Sequence, residues 1–317
     1  MNIIEKYRNK IDAYQQKHSF VGFPYAVIKK YGEDEAGYQS ALLTYYGFLA
    51  LFPLLLVAAT VVSVVAADNP HLQKTVLDGL TSYFPTFRPT LEKAIGTIGK
   101  TGLALVIGVL FTLYGARGVA DAFRNGVNKI WHIPRVKRDG FPKSIIKSLS
   151  IVIFGGLGFL VASLSTTLTA AAGHGWFFTA LSIVVNLIVL FFLFGFLLTF
   201  SLPGRVTFHA TRAGAATAAI GLVLIQIFGQ LLLKKELRNL NDLYSVFAIP
   251  LGLLFWLYLQ AQIVFYSIEI AAVRSQRLWP RGLDNNNPTK ADKRAYTRIS
   301  ASEQYLTSQK ITSKFHK

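Results

Sequence analysis

Ionisable side chains are almost absent from the long apolar stretches of this chain, and Glu269 is the one carboxylate within them. Tyr258 and Gln262 lie near the same stripe of a predicted helix as Glu269, at spacings of four and seven residues. A carboxylate left in lipid costs several kcal/mol, so such a residue marks either a transport path or an ion pair. Because Glu269 lies close to the end of its stretch, the sequence favours a structural ion pair over a transport carboxylate.

Arg117 is the predicted cationic partner of Glu269. It ends the second apolar stretch, and Glu269 is expected at the same level of the membrane, near the cytoplasmic interface. Arg205 and Arg212 compete with Arg117 for this role. A pairing of this kind would hold two helices together at the membrane surface.

Two amides and a proline are further candidates for a functional path. Gln226 and Gln230 lie one turn apart in the fifth apolar stretch, where they either bridge helices or line an uncharged polar route. Pro53 lies inside the first stretch, where the loss of a backbone hydrogen bond predicts a kink. The sequence leaves open whether these residues share a cavity.

No recognisable constellation for catalysis or metal binding is present. The six histidines are dispersed, cysteine is absent, and no metalloprotease or serine-hydrolase motif occurs. Residues 94–101 resemble a phosphate-binding loop, but alanine replaces the first glycine and a predicted membrane helix follows, so we reject that interpretation. We therefore expect no catalytic residue, no bound metal, no cofactor and no enzyme activity.

Six apolar stretches dominate the chain and predict its fold class. Each is about as long as the roughly 20 residues that cross a bilayer. The composition agrees, since 15% of residues are charged, against about 25% in soluble domains. We predict an all-α polytopic membrane protein with six transmembrane helices and amphipathic interfacial helices. The predicted spans are residues 41–67, 101–119, 149–172, 176–201, 213–233 and 246–273.

The distribution of Lys and Arg predicts the orientation. Alternate segments outside the spans, beginning with the N-terminal one, hold 25 of these 33 residues, and the other segments hold 7. Cytoplasmic segments carry such an excess, so both termini are expected in the cytoplasm of a cell membrane. The net charge of +17 then indicates contact with anionic lipid headgroups, and nucleic-acid binding is not expected.

Three regions are predicted along the chain. Residues 1–40 form a cytoplasmic amphipathic segment, with Ile3, Ile4, Tyr7, Ile11 and Tyr14 at helical spacing among basic residues. Residues 41–273 form the six-helix membrane domain, with two short outer helices in 68–100 and a cytoplasmic helix over 119–133. Residues 274–317 form a basic tail that we expect to be disordered.

Several ordered sequence blocks resemble the YihY/virulence factor BrkB family of bacterial inner-membrane proteins. The resemblance covers residues 34–283, and its blocks are Ala41-Leu42-Leu43-Thr44-Tyr45-Tyr46, Leu51-Phe52-Pro53-Leu54-Leu55-Leu56, Asn128-Lys129-Ile130-Trp131, Leu202-Pro203, Arg212-Ala213-Gly214-Ala215, Tyr244-Ser245, Leu254-Phe255-Trp256-Leu257-Tyr258 and Ile268-Glu269-Ile270. It implies a six-helix inner-membrane protein with a role in the cell envelope. A ribonuclease label used for some members has no support in these residues.

Two functions remain in competition on the sequence. The first is a transporter or flippase-like protein for lipid or another amphiphile, because the spans hold too few ionisable groups to move charge. The second is a membrane scaffold that docks partners through helix 119–133 and the basic tail. Protein partners are unknown, and a homo-oligomer is open.

Overall fold

The computed structural model describes residues 3–65, 74, 78, 102–172, 175–204, 206–236, 242–284 and 288–315. Helices account for most of these residues, and the all-α prediction is confirmed for them. Apart from Lys74 and Asp78, which are helical, the predicted outer helices of 68–100 lie outside the described residues, and so does the rejected phosphate-binding loop. The helices are α1 Ile3–Lys17, α2 Ser19–Glu33, α3 Ala36–Val65, α4 Gly102–Ile130, α5 Lys143–Ala172, α6 Trp176–Ser201, α7 Phe208–Glu236, α8 Asp242–Gln276 and α9 Lys290–Ser302.

Four of the described helices are long and apolar enough to cross a membrane. Their candidate spans are Lys143–Ala162, Trp176–Ser201, Phe208–Gly229 and Pro250–Gln276. Large apolar side chains remain exposed on these helices, including Phe154, Phe192 and Phe255. An exposed surface of this kind suits lipid and would be unfavourable in water. The two other predicted spans fall on α3 and α4, which are helices of 30 and 29 residues.

Six long helices pack into a closed ring. Along the ring, α3 contacts α4, α4 contacts α5, α5 contacts α6, α6 contacts α7, α7 contacts α8, and α8 returns to α3. The buried core that joins them includes Val127, Leu190, Phe265 and Ile268. Every helix of the ring thus has at least two neighbours in it, and α4 also contacts α6 and α8.

Small residues allow the backbones of α7 and α8 to approach closely. Ala215, Ala218 and Ala219 of α7 are buried. A Cβ atom added at Gly214 would lie 2.4 Å from the backbone oxygen of Ser267 on α8. Backbones in membrane bundles associate through such small residues, since lipid offers no hydrophobic force between helices.

The chain termini fold together against one end of the ring. Helix α2 contacts α1, α3 and α8. A second apolar cluster joins α2, the end of α8 and α9 through Ala26, Val27, Val273, Leu278 and Ala295. The prediction of a disordered tail is therefore wrong for its described part. The composition of the tail suggested disorder, but its apolar side chains pack against α2 and are buried there.

Helix α1 is amphipathic, and the apolar side chains along one side of it are exposed. Tyr7, Ile11 and Tyr14 are each more than half exposed. Basic residues surround the stripe, as the sequence predicted. Its contact with the inner leaflet stays a prediction.

We predict that Gly214→Ala destabilises the protein by roughly 1–3 kcal/mol, since its Cβ would overpack the contact with the α8 backbone. Gly156→Ala on α5 is the matched control, because a Cβ there meets no atom within 4 Å. The control should be neutral or slightly stabilising. Thermal unfolding of the purified variants in detergent measures both, and equal midpoints would contradict the proposed packing.

Candidate functional site

A buried ionisable cluster lies where α2 meets the ring. We call Lys30, Asp34, His132 and Glu269 the buried quartet. Their side chains are between 0% and 5% exposed. Since charged side chains are seldom fully buried without partners, the cluster is the most unusual chemical feature in the described part of the chain.

Local backbone structure brings the four side chains to one point. Lys30 lies in the last turn of α2, and Asp34 caps that helix one turn later. Glu35 then takes a left-handed conformation with φ of 53°, after which α3 begins. His132 also has a positive φ, 51°, just after α4. Two helix ends therefore turn sharply beside Glu269 of α8.

The ammonium group of Lys30 is the centre of the quartet. It donates to Glu269 Oε2 at 2.9 Å, to the Ile130 carbonyl at 2.7 Å and to Asp34 Oδ2. These three acceptors use all three N–H groups of the ammonium. His132 Nε2 lies 2.8 Å from the other oxygen of Asp34. The quartet thereby connects α2, α4 and α8.

Both the cation and the aspartate outside the membrane spans are held in their charged forms. Burial lowers the pKa of Lys30, but the nearby carboxylates of Glu269 and Asp34 raise it by more than burial lowers it. The pKa of Lys30 therefore lies above its ordinary value. Burial raises the pKa of Asp34, whereas Lys30 and His132 lower it to a net value below the ordinary one. The Asp34 contribution to stability is present above its unfolded pKa and is lost as pH falls through its folded pKa.

Lys30 is the partner of Glu269, so the predicted pairing with Arg117 is wrong. Arg117 instead lies 3.4 Å from Asp121 on its own helix. Ile130, whose carbonyl accepts a hydrogen bond from Lys30, lies thirteen residues after Arg117 on α4. Thirteen residues of α-helix separate Arg117 from the quartet by about 20 Å along the helix axis. Arg212 is exposed, and Arg205 lies outside the described residues.

The polar stripe of α8 is the surface on which α2 docks. Tyr31, next to Lys30, donates to Gln262 Oε1 and stacks on Tyr266 with ring centroids 4.0 Å apart. Gln262 in turn donates to Tyr258 at 2.5 Å. Tyr258, Gln262 and Glu269 therefore share one face, as predicted, and in this structure that face contacts protein.

The other candidate path residues lie elsewhere. Gln226 of α7 accepts from Asn186 of α6 at 3.3 Å, which is the bridging alternative that the sequence left open. The side chains of Gln230 and Pro53 lie outside the described residues, and the kink at Pro53 stays a prediction. The apolar face of the predicted docking helix 119–133 is buried, with Val127 and Ile130 fully inaccessible.

A second cluster of ion pairs attaches the C-terminal tail to α2. Arg281 is fully buried and binds both Glu33, at 2.8 and 2.9 Å, and Asp292, at 2.5 Å. Asp292 also accepts from the backbone N–H groups of Gly282 and Thr289. Burial raises the pKa of Asp292, but Arg281 and these N–H groups lower it to about 2.

Sequence reasoning missed Lys30, Asp34, His132 and Arg281. The available signal was the i, i+4 spacing of Lys30 and Asp34 beside the acidic run 33–35. The residues of that run bind three different cations: Glu33 binds Arg281, Asp34 binds Lys30, and Glu35 binds Lys129.

We predict that Lys30→Met destabilises the protein by about 3–5 kcal/mol, because it leaves buried carboxylates without their cation. Adding Glu269→Gln should recover part of this loss, since it replaces one of the two buried carboxyl groups that lose the Lys30 donor. Lys129→Met, at an exposed ion pair with Glu35, is the control and should cost less than about 1 kcal/mol. Thermal unfolding of these variants, of Glu269→Gln alone and of the unaltered protein measures the coupling, and additive effects would argue against the pair.

We also predict that Asp292→Asn releases the tail at neutral pH. In the unaltered protein the Asp292 contribution is full above its unfolded pKa, and it is lost as pH falls from about 4 through the folded value of about 2. Hydrogen exchange of α9 amides measures this. Asp284→Asn, which removes a half-exposed pair with Arg8, is the control, and equal exchange in the two variants would contradict the prediction.

Comparison with known proteins finds one family model and several relatives that are named as membrane proteins. A family model described as Virulence factor BrkB matches residues 27–292. A UPF0761 membrane protein of Psychrobacter sp. (strain PRwf-1) is 25% identical over 84% of this chain and 51% of its own length. Inner membrane protein YhjD of Escherichia coli (strain K12) is 24% identical over 78% of this chain and 80% of its own. No solved structure gives a significant match.

The chain spans about half the length of the Psychrobacter relative. It covers 65% of a UPF0761 membrane protein of Pseudomonas aeruginosa (strain LESB58), at 26% identity.

Proposed function

The chain belongs to the virulence factor BrkB family of integral membrane proteins, and we propose that it is a transporter or flippase-like protein for lipid or another amphiphile. It has six spans in the bacterial inner membrane, with both termini in the cytoplasm. The name of its relative YhjD, an inner membrane protein, supports the location. The excess of Lys and Arg in alternate segments supports the orientation.

The observation that carries the proposal is the buried quartet between α2 and the ring. Helix α2 is outside the ring of six helices, yet it is held across its end by charged hydrogen bonds. Such contacts can exchange for water when the helix moves, whereas a close-packed apolar contact cannot. The arrangement suits a closed gate at the cytoplasmic end of a transport path.

The chemistry of the ring favours an amphiphile as the transported molecule. In the predicted spans only Arg117 and Glu269 carry a formal charge, and Glu269 is engaged with Lys30. Ion pathways require several ionisable or carbonyl groups in the membrane. Amide pairs such as Asn186 and Gln226 leave a weakly polar interior, which suits the passage of a lipid headgroup.

We expect the purified protein to accelerate the movement of fluorescent lipids across liposome membranes. Lys30→Met should increase this rate by at least about tenfold, since about 1.4 kcal/mol lost from the closed state raises the open population tenfold. Gln226→Leu should lower the rate, because it removes the amide bridge to Asn186 that makes the interior between α6 and α7 weakly polar. Glu303→Gln, at an exposed pair with Arg135, is the control and should match the unaltered protein.

Each variant is first checked for folding by its thermal midpoint and elution volume. No acceleration by any variant, across neutral and anionic lipids, would overturn passive lipid movement. A rate unaffected by Lys30→Met, with acceleration intact, would overturn the quartet as a gate.

A membrane scaffold is the second candidate, and α9 carries the observation that favours it. Its exposed face presents Lys290, Arg294 and Arg298, and the acidic Asp292 is buried on the opposite face. An anionic protein surface could dock there. The apolar face of 119–133 is buried, so this proposal rests on the tail alone. Loss of a crosslinked partner in Arg294→Glu/Arg298→Glu, with lipid movement absent, would favour scaffolding.

A further inference from the structure

Two polar atoms of the buried quartet have no hydrogen-bond partner among the described residues. They are Glu269 Oε1 and His132 Nδ1. Both side chains are nearly inaccessible, at 0% and 5% exposure. Buried polar atoms usually have partners, so these two atoms indicate the protonation states of the groups that carry them.

His132 is assigned as neutral. Its Nε2 lies 2.8 Å from Asp34 Oδ1 and therefore carries the proton that this hydrogen bond needs. In a neutral imidazole Nδ1 is then an acceptor. A charged ring would carry a second N–H at Nδ1, and that donor would be buried without an acceptor.

The quartet then has one negative charge too many. Lys30 supplies one positive charge, and ionised Asp34 and Glu269 would supply two negative charges. The cations on the adjoining elements are engaged with other carboxylates or exposed. Lys129 pairs with Glu35, Arg124 with Asp121, Lys29 with Asp292, and Arg281 with Glu33 and Asp292, whereas Arg274 and Arg277 at the end of α8 are exposed. The remaining neighbours, Tyr31, Trp131, Gln262, Tyr266 and Gln276, are uncharged. One additional proton makes the quartet neutral.

The proton belongs on Glu269 according to the hydrogen bonds. Both oxygens of Asp34 are bound, one by Lys30 and one by His132. Glu269 accepts a hydrogen bond only from Lys30, at Oε2, and its carboxyl also lies within hydrogen-bond reach of Asp34, which can accept from a protonated Glu269. A carboxylate with fewer donors is the less stabilised anion, so Glu269 is the group that accepts a proton first.

We propose that the buried quartet is a proton-binding site, and that release of a proton from Glu269 weakens the attachment of α2 to the ring. Proton loss would leave an uncompensated charge buried among α2, α4 and α8. Moving α2 away admits water, which solvates that charge. Binding and release involve the proton alone, and no other bond forms or breaks.

This inference deepens the gate under "Proposed function", because it names what operates the gate. It rests on the quartet as the contact of α2 and does not depend on which molecule is transported. Its failure is therefore distinguishable from a failure of lipid transport. Liposomes without lipid movement can still contain a protein that binds and releases this proton.

The first experiment detects the proton directly by infrared difference spectroscopy of the purified protein from about pH 5 to about pH 10. We expect a protonated carboxylic acid band that disappears as pH rises. Glu269→Gln should remove it, and Glu303→Gln should leave it unchanged. Because the substituted protein could misfold, isotope-labelled glutamate in the unaltered chain provides a second assignment, since it should shift the band.

The second experiment measures whether α2 follows the proton. The chain has no cysteine, so Ile28→Cys on α2 and Asn125→Cys on α4 would carry the only spin labels. Both positions are exposed. We expect the distance between labels, measured by pulsed electron paramagnetic resonance, to lengthen over the pH range in which the band disappears. Added Glu269→Gln should keep the short distance throughout, because glutamine mimics the protonated acid.

Three results would overturn the proposal. The first is a carboxylic acid band that is absent, or that does not shift with labelled glutamate. The second is a band that persists in folded Glu269→Gln. The third is a distance that stays constant while the band disappears, which would leave a protonated glutamate without any effect on α2.

Discussion

The ammonium group of Lys30 is the interaction on which the organisation of this protein depends. It is buried at the end of α2 and touches a carboxylate of α8, a carboxylate after its own helix and the last carbonyl of α4. A buried cation is stable only with such partners, since desolvation would otherwise expel it. The same atom therefore ties a helix outside the ring to two helices within it.

The arrangement accounts for buried charged residues of the described part of the chain, among them Lys30, Asp34, Glu269 and Arg281. Like Lys30, Arg281 is a buried cation that binds two carboxylates, in this case Glu33 of α2 and Asp292 of α9. The end of the ring is thus closed by α2, and α2 is itself covered by the tail. Both cations bind acids at the C-terminal end of α2, so this short segment takes part in both clusters.

The membrane part follows a different rule. Its helices associate through small residues and apolar side chains, as at Gly214 against Ser267, and the described spans carry few polar contacts. The helices of the ring are held together by close apolar packing, whereas α2 is held to the ring by ionic hydrogen bonds that water can replace. This difference between the two contacts is the physical basis for assigning motion to α2 and a fixed frame to the ring.

The sequence by itself determined the class of the protein. Long apolar stretches can satisfy their backbone only as helices in lipid, so the helical character, the stripe of α8 and the small-residue contact of α7 were all predictable. The partner of Glu269, the neutral ring assigned to His132 and the folded tail were not. Those depend on residues far apart in the chain, 239 positions for Lys30 and Glu269 and 248 positions for Glu33 and Arg281. Charge pairing at such separation is decided by how helices pack and has no local pattern, so only the tertiary structure could decide it.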